Sequence, residues 1–153
     1  LNLYNGIVLS PGPGLPQETS SMMEVISYCK SRIPILGVCL GMQGLGLAAK
    51  AQLVNLDRIR HGVHVNVEVI RDSILFKDLP GTFEVGLYHS WGFTAFRPEL
   101  ITAIDRHGIV MAIENEVEQW YGVQFHPESI MTSFGRTMLK NVVHNVFSAE
   151  KTH

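Results

Sequence analysis

The segment Gly37–Gly41 holds a cysteine where a chain could present a nucleophile. It reads Gly-Val-Cys-Leu-Gly, and it follows an apolar run of strand length and precedes a helical pattern. This is the G-x-nucleophile-x-G elbow with cysteine in place of serine, and its glycines relieve the crowding of a sharp strand-to-helix turn. Cys39 would then lie at a helix N-terminus, whose dipole and free N–H groups favour the thiolate. The competing interpretation is a buried structural cysteine, the role that we expect for Cys29.

A thiol nucleophile needs a base, and His126 is the histidine best placed to be one. It stands at the end of an apolar strand pattern, in the sequence Phe-His-Pro-Glu, where open α/β sheets place their ligands. Pro127 biases His126 towards an extended backbone, so that Glu128, two residues on, faces the same side. A carboxylate beside an imidazole fixes its tautomer and stabilises its charged form. In isolation, the same residues could be a surface turn.

The loop Ser10–Gly14 is a third candidate element. It reads Ser-Pro-Gly-Pro-Gly after another apolar strand pattern. Because proline has no N–H, the donors of this stiff loop are the amides of Gly12 and Gly14. Such donors at a strand end suit an oxyanion or a carboxylate. The alternative is an ordinary turn, and a phosphate loop is excluded because no Gly-Lys-Ser/Thr follows.

The elements around these residues predict an α/β sandwich with a mixed sheet. The apolar runs at 7–9 and 35–38 are typical of strands that are covered on both faces. Each is followed by a helical pattern, from about Gln17 to Lys30 and from Leu40 to Lys50, which favours parallel pairing. Val63–Val69 alternates strictly and predicts an antiparallel strand with one wet face.

Four more strands and a final helix complete the prediction. The strands are expected at 83–88, 101–104, 109–113 and 120–125. The helix is expected at about Gly135–Phe147. It would bury the apolar side chains Met138, Leu139, Val142, Val143, Val146 and Phe147 on one face.

Composition limits the class of protein. The chain has 153 residues, the length of a single domain. Of these residues, 46% are hydrophobic and 17% are charged. A formal charge of −2 offers no basic excess for a nucleic acid, and no apolar run has the length of a membrane span. Two cysteines make no disulfide framework, and no histidine or cysteine spacing indicates a metal site. We therefore expect a cytoplasmic domain that binds neither nucleic acid, membrane nor metal.

Taken together, these motifs resemble the class I glutamine amidotransferases, a family with a Cys-His-Glu triad. The resemblance rests on Leu9–Gly14, Pro34–Gln43, Tyr88–Ser90 and Gly122–Thr132. It implies a three-layer α/β sandwich with a mixed, mostly parallel central sheet of the flavodoxin-like kind. Within the family, the motifs are most similar to the glutaminase subunits of anthranilate synthase, and aminodeoxychorismate synthase glutaminases share nearly all of them.

The resemblance also implies roles for individual residues. Cys39 would be the nucleophile, His126 the base and then the acid, and Glu128 its orienting carboxylate. The amides of Gly12 and Leu40 would form the oxyanion hole. The glutamine substrate would be held by Gly14, Gln43, His89, Ser90 and Trp91. No cofactor is expected in this subunit, and the ammonia released from glutamine would pass to a partner synthase subunit that uses chorismate.

Three features depart from the family pattern, one of which is a shorter stretch than expected from Trp91 to Ile101. Met42 stands where the family usually has histidine, outside the triad, so partner contacts rather than catalysis would be affected. Family members also begin with a strand and helix, so residues 1–153 are expected to form a single amidotransferase domain that lacks them. A non-catalytic regulatory module, and a cysteine peptidase or γ-glutamyl hydrolase with the same triad, are the other functions that the residues leave open.

Overall fold

The structure is a computed structural model that describes residues 3–94 and 96–149, without the side chains of residues 57–60. In this part of the chain, helices pack on one seven-stranded sheet. The strands are β1 (Ile7–Leu9), β2 (Ile35–Val38), β3 (Val54–Val69), β4 (Thr82–Gly92), β5 (Ile101–Asp105), β6 (Val110–Asn115) and β7 (Trp120–Val123). The α-helices are α1 (Ser20–Cys29), α2 (Leu40–Ala48) and α3 (Gly135–Val142), and a π-helical turn at Val143–Phe147 continues α3. Short 3₁₀ turns lie at Pro16–Glu18 and Pro98–Leu100.

The sheet is mixed, as expected, but it is not mostly parallel. Its strand order is β1-β2-β7-β6-β5-β3-β4. The pairs β1–β2 and β2–β7 are parallel, whereas β7–β6, β6–β5, β5–β3 and β3–β4 are antiparallel. Only residues 106–109 separate β5 from β6, which is too short for a parallel crossover, so the chain turns back at once.

Two hydrophobic cores, one on each face of the sheet, make the expected three layers. One core joins Ile35 of β2 to Ile26 of α1 and Leu45 of α2. The other joins Leu36, the next residue of β2, to Met138 and Val142 of α3. Successive strand residues point to opposite faces, so the continuous apolar run of β2 supplies both cores. All four residues of β2 are buried.

Two predicted burials are wrong. Val8 of β1 is 57% exposed, because β1 is the edge strand of the described sheet. Val143 is 47% exposed, because α3 and its π turn bury a narrow stripe made of Met138, Val142 and Val146. Leu139 and Phe147 flank that stripe and are partly buried.

The long ribbon of β3 and β4 confirms the predicted antiparallel strand, but the predicted alternation of burial fails at Val63, which is 38% exposed. Val67 is fully buried, while the intervening Asn66 and Glu68 are exposed. The two strands pair in antiparallel register from Val54 opposite Gly92 to Glu68 opposite Thr82, with irregularities that bend the ribbon. Through this register, His61 lies opposite Tyr88.

The parallel strands β1, β2 and β7 end at a common edge of the sheet. Ser10–Gly14 follows β1, Cys39 follows β2, and Gln124–Glu128 follows β7. The three candidate segments, far apart in sequence, therefore converge at the carboxyl ends of neighbouring strands, where open α/β sheets bind ligands.

Candidate active site

Cys39 occupies a strained turn between β2 and α2. Its φ is 54° and its ψ is −104°, a backbone conformation that residues with a side chain rarely adopt. Its amide donates a 2.8 Å hydrogen bond to the carbonyl of Val123, so the turn is fastened to the end of β7. Strain of this kind persists only where the surroundings enforce it, and it clusters at functional sites.

The two glycines of the elbow are required by space. A Cβ on Gly37 would lie 2.6 Å from the backbone of Gly41, and a Cβ on Gly41 would lie 2.3 Å from the carbonyl oxygen of Leu9. Real Cβ atoms do not approach backbone atoms so closely. The glycines therefore let α2 begin directly against the ends of β1 and β2, which confirms the reason for the G-x-C-x-G spacing.

His126 and Glu128 form the predicted pair, but residues 127 and 128 lie in a turn, closed by the Ser129 amide on the His126 carbonyl at 3.1 Å, and not in the expected extended segment. Nδ1 of His126 lies 2.6 Å from Oε1 of Glu128. Because a carboxylate can only accept, Nδ1 carries the proton and the neutral ring keeps Nε2 unprotonated. Nε2 is buried and has no hydrogen-bond partner among the described residues. This nitrogen is therefore available to accept a proton.

The His-Pro-Glu turn is held in place by Thr132. The hydroxyl of Thr132 donates to the carbonyl of His126 at 2.6 Å and accepts from the amide of Gly86 at 3.0 Å. The amide of His126 donates to the carbonyl of Gly86 at 3.2 Å. These bonds tie the main chain of His126 to β4 and fix the position of its imidazole.

A cavity of about 330 Å³ opens beside the elbow. It brings together the predicted nucleophile, the predicted oxyanion donors and the predicted substrate contacts, namely Cys39, Gly12, Leu40, Gly14, Gln43, His89, Ser90 and Trp91. His126 and Glu128 do not line it. The ring of His126 instead packs edge-on against Tyr88, at 5.0 Å between centroids, and Tyr88 is part of the cavity wall.

A buried chain of amides runs along this cavity to the sulfur. Nε2 of Gln43 donates to the carbonyl of Trp91 at 3.1 Å and to Oε1 of Gln124 at 3.3 Å. Nε2 of Gln124 donates to Sγ of Cys39 at 3.6 Å. Nδ1 of His89 lies 2.5 Å from the same Trp91 carbonyl. This carbonyl is therefore engaged in hydrogen bonds within the protein.

The protonation of Cys39 differs from the sequence-based expectation. Burial raises the pKa of its thiol to about 11. The Leu40 amide and the Gln124 side chain lower this pKa, and the charge of Glu128 raises it, but burial has the largest effect. The thiol is therefore neutral at pH 7. The amide at the helix N-terminus lowers the pKa of the thiol, as expected, but burial raises it by more.

Several residues of the site were missed by the sequence analysis. Gln124, Glu18 and His61 were not singled out, yet Gln124 bonds the sulfur and the other two line the cavity. Gln124 lies two residues before His126 and directly after β7, so its nearness to the predicted base is the signal that could have found it. The carboxylate of Glu18 accepts from the amide of Leu15 at 3.0 Å.

Two kinds of feature are absent from the described part of the chain. No group of three or more His, Cys, Asp and Glu side chains there could hold a metal ion. The same residues contain no helix with the length and hydropathy that crossing a membrane requires.

The fold and the elbow define a class of protein, and comparison with known families gives the same class. The chain belongs to the class-I glutamine amidotransferase family, whose model matches residues 1–146. A crystal structure of a Thermoplasma acidophilum protein assigned as part of a GMP synthase has a TM-score of 0.80 at 26% identity, over 92% of this chain and 71% of that one. A Thermotoga maritima glutamine amidotransferase shares the fold, with a TM-score of 0.75 over 95% of this chain and 63% of that one.

Within the family, similar curated proteins include anthranilate synthase components and an aminodeoxychorismate synthase. A Haemophilus influenzae protein assigned as anthranilate synthase component II is 41% identical over 141 residues, which are 90% of this chain and 73% of that one. Anthranilate synthase component 2 of Lactococcus lactis is 39% identical over 93% of this chain and 74% of its own. Aminodeoxychorismate synthase of Streptomyces griseus is 39% identical over 92% of this chain but only 20% of its own length.

Proposed function

We propose that this chain is a glutaminase subunit that releases ammonia from glutamine through a γ-glutamyl thioester and delivers it to a chorismate-using synthase subunit. The observation that supports this proposal best is the position of Cys39. Its backbone is strained at the elbow, and it faces a cavity that is also lined by Gly12, Leu40 and Gln43. Family membership and the names of the relatives support this choice of reaction.

The first chemical step is thiol attack on the side-chain amide carbon of glutamine. The Cys39 proton passes to Nε2 of His126 as the sulfur forms its bond to carbon, and the carbonyl π electrons move to oxygen. Glu128 balances the imidazolium that results, through its 2.6 Å contact with Nδ1. Because the free thiol has a pKa of about 11, attack depends on this proton transfer and not on a standing thiolate.

Oxyanion stabilisation falls to backbone amides. Leu40 is the first residue of α2, so its N–H is one of the free donors of the helix N-terminus, and it already lowers the pKa of the Cys39 thiol. Gly12 lies across the same cavity, with its Cα so close to Leu40 that a Cβ would be 3.2 Å from that side chain. Removing one such donor typically costs about a hundred- to a thousandfold in rate.

The intermediate then collapses and is hydrolysed. The imidazolium of His126 gives its proton to the leaving nitrogen as the carbon–nitrogen bond breaks, which releases ammonia and leaves the γ-glutamyl thioester on Cys39. A water molecule, deprotonated by His126, next attacks the thioester carbon. The carbon–sulfur bond breaks, the sulfur regains its proton, and glutamate leaves.

The partner distinguishes the two pathways. We propose an anthranilate synthase partner, as in tryptophan biosynthesis, because that name recurs among relatives with 34–41% identity over most of the chain. An aminodeoxychorismate synthase partner, or one subunit that serves both, is the second candidate, and the 39% identity to the Streptomyces griseus protein supports it. The strained cysteine and its buried network argue against a non-catalytic regulatory module.

The testing experiment is glutamine hydrolysis by the purified chain, with and without its co-purified partner. We expect glutamate and ammonia in equal amounts, faster with the partner, and anthranilate when chorismate is added. Formation of aminodeoxychorismate would select the second candidate. Hydrolysis of a peptide or of γ-glutamyl peptides in preference to glutamine would overturn the proposed reaction. The matched control is Cys29→Ser, a change at the other buried cysteine, which should leave the rate within about twofold provided that the variant folds.

A further inference from the structure

Gln124 lies where a side chain could act directly on the nucleophile. It is the first residue after β7, and its amide donates to the carbonyl of Met111 at 2.8 Å. Its side chain is fully buried, with 0% exposure. A buried amide is costly unless its polar atoms are satisfied, so its partners indicate its role.

The orientation of the Gln124 amide is fixed by its neighbours. The Trp91 carbonyl can only accept, so the group of Gln43 that meets it must be the NH₂ group. The other hydrogen of that NH₂ group reaches Gln124, so Gln124 presents its oxygen to Gln43. The NH₂ group of Gln124 is consequently turned towards Sγ of Cys39, at 3.6 Å. The Gln43 NH₂ group thus donates both to the Trp91 carbonyl on β4 and to Gln124, and Gln124 in turn donates to the sulfur.

A hydrogen-bond donor at this position interacts differently with the thiol and with the thiolate of Cys39. A hydrogen bond to a charged atom is stronger than one to its neutral form, so an N–H directed at Sγ stabilises thiolate more than thiol. The Gln124 side chain accordingly lowers the pKa of the Cys39 thiol, against the larger effect of burial. Among the described side chains, it is the donor that the structure places on this sulfur.

The structure assigns to Gln124 a direct part in the reaction: it orients the Cys39 sulfur and stabilises the negative charge that develops there as the proton leaves for His126. This role deepens the proposed function, since it takes Cys39 as the nucleophile. It also links substrate contact to the sulfur, because Gln43 both lines the cavity and holds the Gln124 oxygen.

The test is the pH dependence of Cys39 alkylation by iodoacetamide, a probe small enough for the cavity, with the label located by peptide mass mapping. Gln124→Met keeps the length of the side chain and removes the donor. We expect its alkylation rate at each pH below the wild-type midpoint to fall about 10- to 100-fold, the range for losing a hydrogen bond to a charged group. Its glutaminase kcat should fall by a similar factor, with KM changed less than about threefold.

The matched control is Thr102→Val, which removes a fully buried polar group on β5, distant in sequence from the elbow. It should leave the alkylation profile unchanged. An unchanged profile in Gln124→Met as well, together with kcat within about twofold of wild type, would overturn the role. Alkylation requires no turnover, so a wild-type chain that alkylates as expected but does not hydrolyse glutamine would contradict the proposed function and not this contact.

If Gln124→Met does not fold, a measurement on the wild-type chain tests the role of Gln124. The side-chain NH₂ resonances of Gln124 should shift on the same pH titration that reports alkylation, and again when Cys39 is alkylated. Resonances that stay constant through both changes would show that the amide does not sense the sulfur.

Discussion

The imidazole of His126 and the carboxylate of Glu128 meet across a proline, with Nδ1 and Oε1 2.6 Å apart. The carboxylate is about half exposed, while the imidazole is largely buried and its other nitrogen is fully enclosed. The pair therefore has one end in solvent and the other inside the protein. Such an arrangement stabilises a charged imidazole without burying a carboxylate.

Replacing Glu128 with Gln should slow glutamine hydrolysis by about a hundredfold, less than the loss of Cys39 or His126. The amide keeps a hydrogen-bonding atom near Nδ1 but cannot balance an imidazolium, and the orienting member of a triad is generally the least costly to lose. The measurement is steady-state turnover with saturating partner. Glu24→Gln, on the exposed face of α1, is the control. A rate within about twofold of wild type in the Glu128 variant would leave a Cys39–His126 dyad.

Replacing Thr132 with Val should reduce both stability and turnover. The valine has the same shape but loses the 2.6 Å bond to the His126 carbonyl and leaves the Gly86 amide without its acceptor. An unsatisfied buried donor costs about 1–3 kcal/mol. Chemical unfolding and kcat are the measurements, with the exposed Thr82→Val as control. If turnover per folded molecule were unchanged, Thr132 would stabilise the fold without positioning His126.

Replacing Gly41 with Ala should destabilise the chain by about 1–3 kcal/mol, the usual cost of overpacking. In an open helix, the same change would stabilise by up to about 1 kcal/mol, because alanine is the better helix former. At Gly41 the steric effect is larger, since the new Cβ would lie 2.3 Å from the Leu9 carbonyl. Gly81→Ala, where a Cβ would meet nothing within 4 Å, is the matched control for thermal unfolding. Equal melting temperatures for the two variants would contradict the close approach.

Cys39 should make stability fall at alkaline pH. Its folded pKa of about 11 exceeds the ordinary value of 9.0, so the folded state binds the proton more tightly than the unfolded state does. The resulting stabilisation is complete below pH 9 and decreases as the pH rises to 11. Between pH 7 and pH 10, the wild type should lose roughly 1.4 kcal/mol more than Cys39→Ser, a tenfold change in the unfolding equilibrium. If urea unfolding showed the same loss of stability between pH 7 and pH 10 in the wild type and in Cys39→Ser, the folded chain would not hold the thiol neutral.

The sequence was sufficient for the local parts of this site. The elbow at Cys39 and the pairing of His126 with Glu128 depend on residues within two positions of each other, so spacing alone predicts them. The convergence of three strand ends also follows, because parallel strands share a carboxyl edge. The first two inferences use only short-range geometry, and the third uses the general topology of open α/β sheets.

The parts that could not be predicted depend on long-range packing. The Gln43–Gln124 bond joins residues 81 positions apart, and no local pattern relates them. The raised pKa of Cys39 results from burial, which only the assembled fold determines. The exposure of Val8 likewise depends on where β1 lies in the sheet. The predominance of antiparallel pairs in the sheet could have been predicted, because the four residues between β5 and β6 already exclude a crossover helix.

The most direct test of the account is to trap the covalent intermediate on Cys39. The chain, mixed with glutamine and quenched in acid within one turnover, should gain the mass of one γ-glutamyl group, and peptide mapping should place it on Cys39. Cys39→Ala should show neither the adduct nor glutamine hydrolysis, while its partner still makes product from ammonium salts. Glutamine hydrolysis that persists in Cys39→Ala, or an adduct on another residue, would contradict the mechanism.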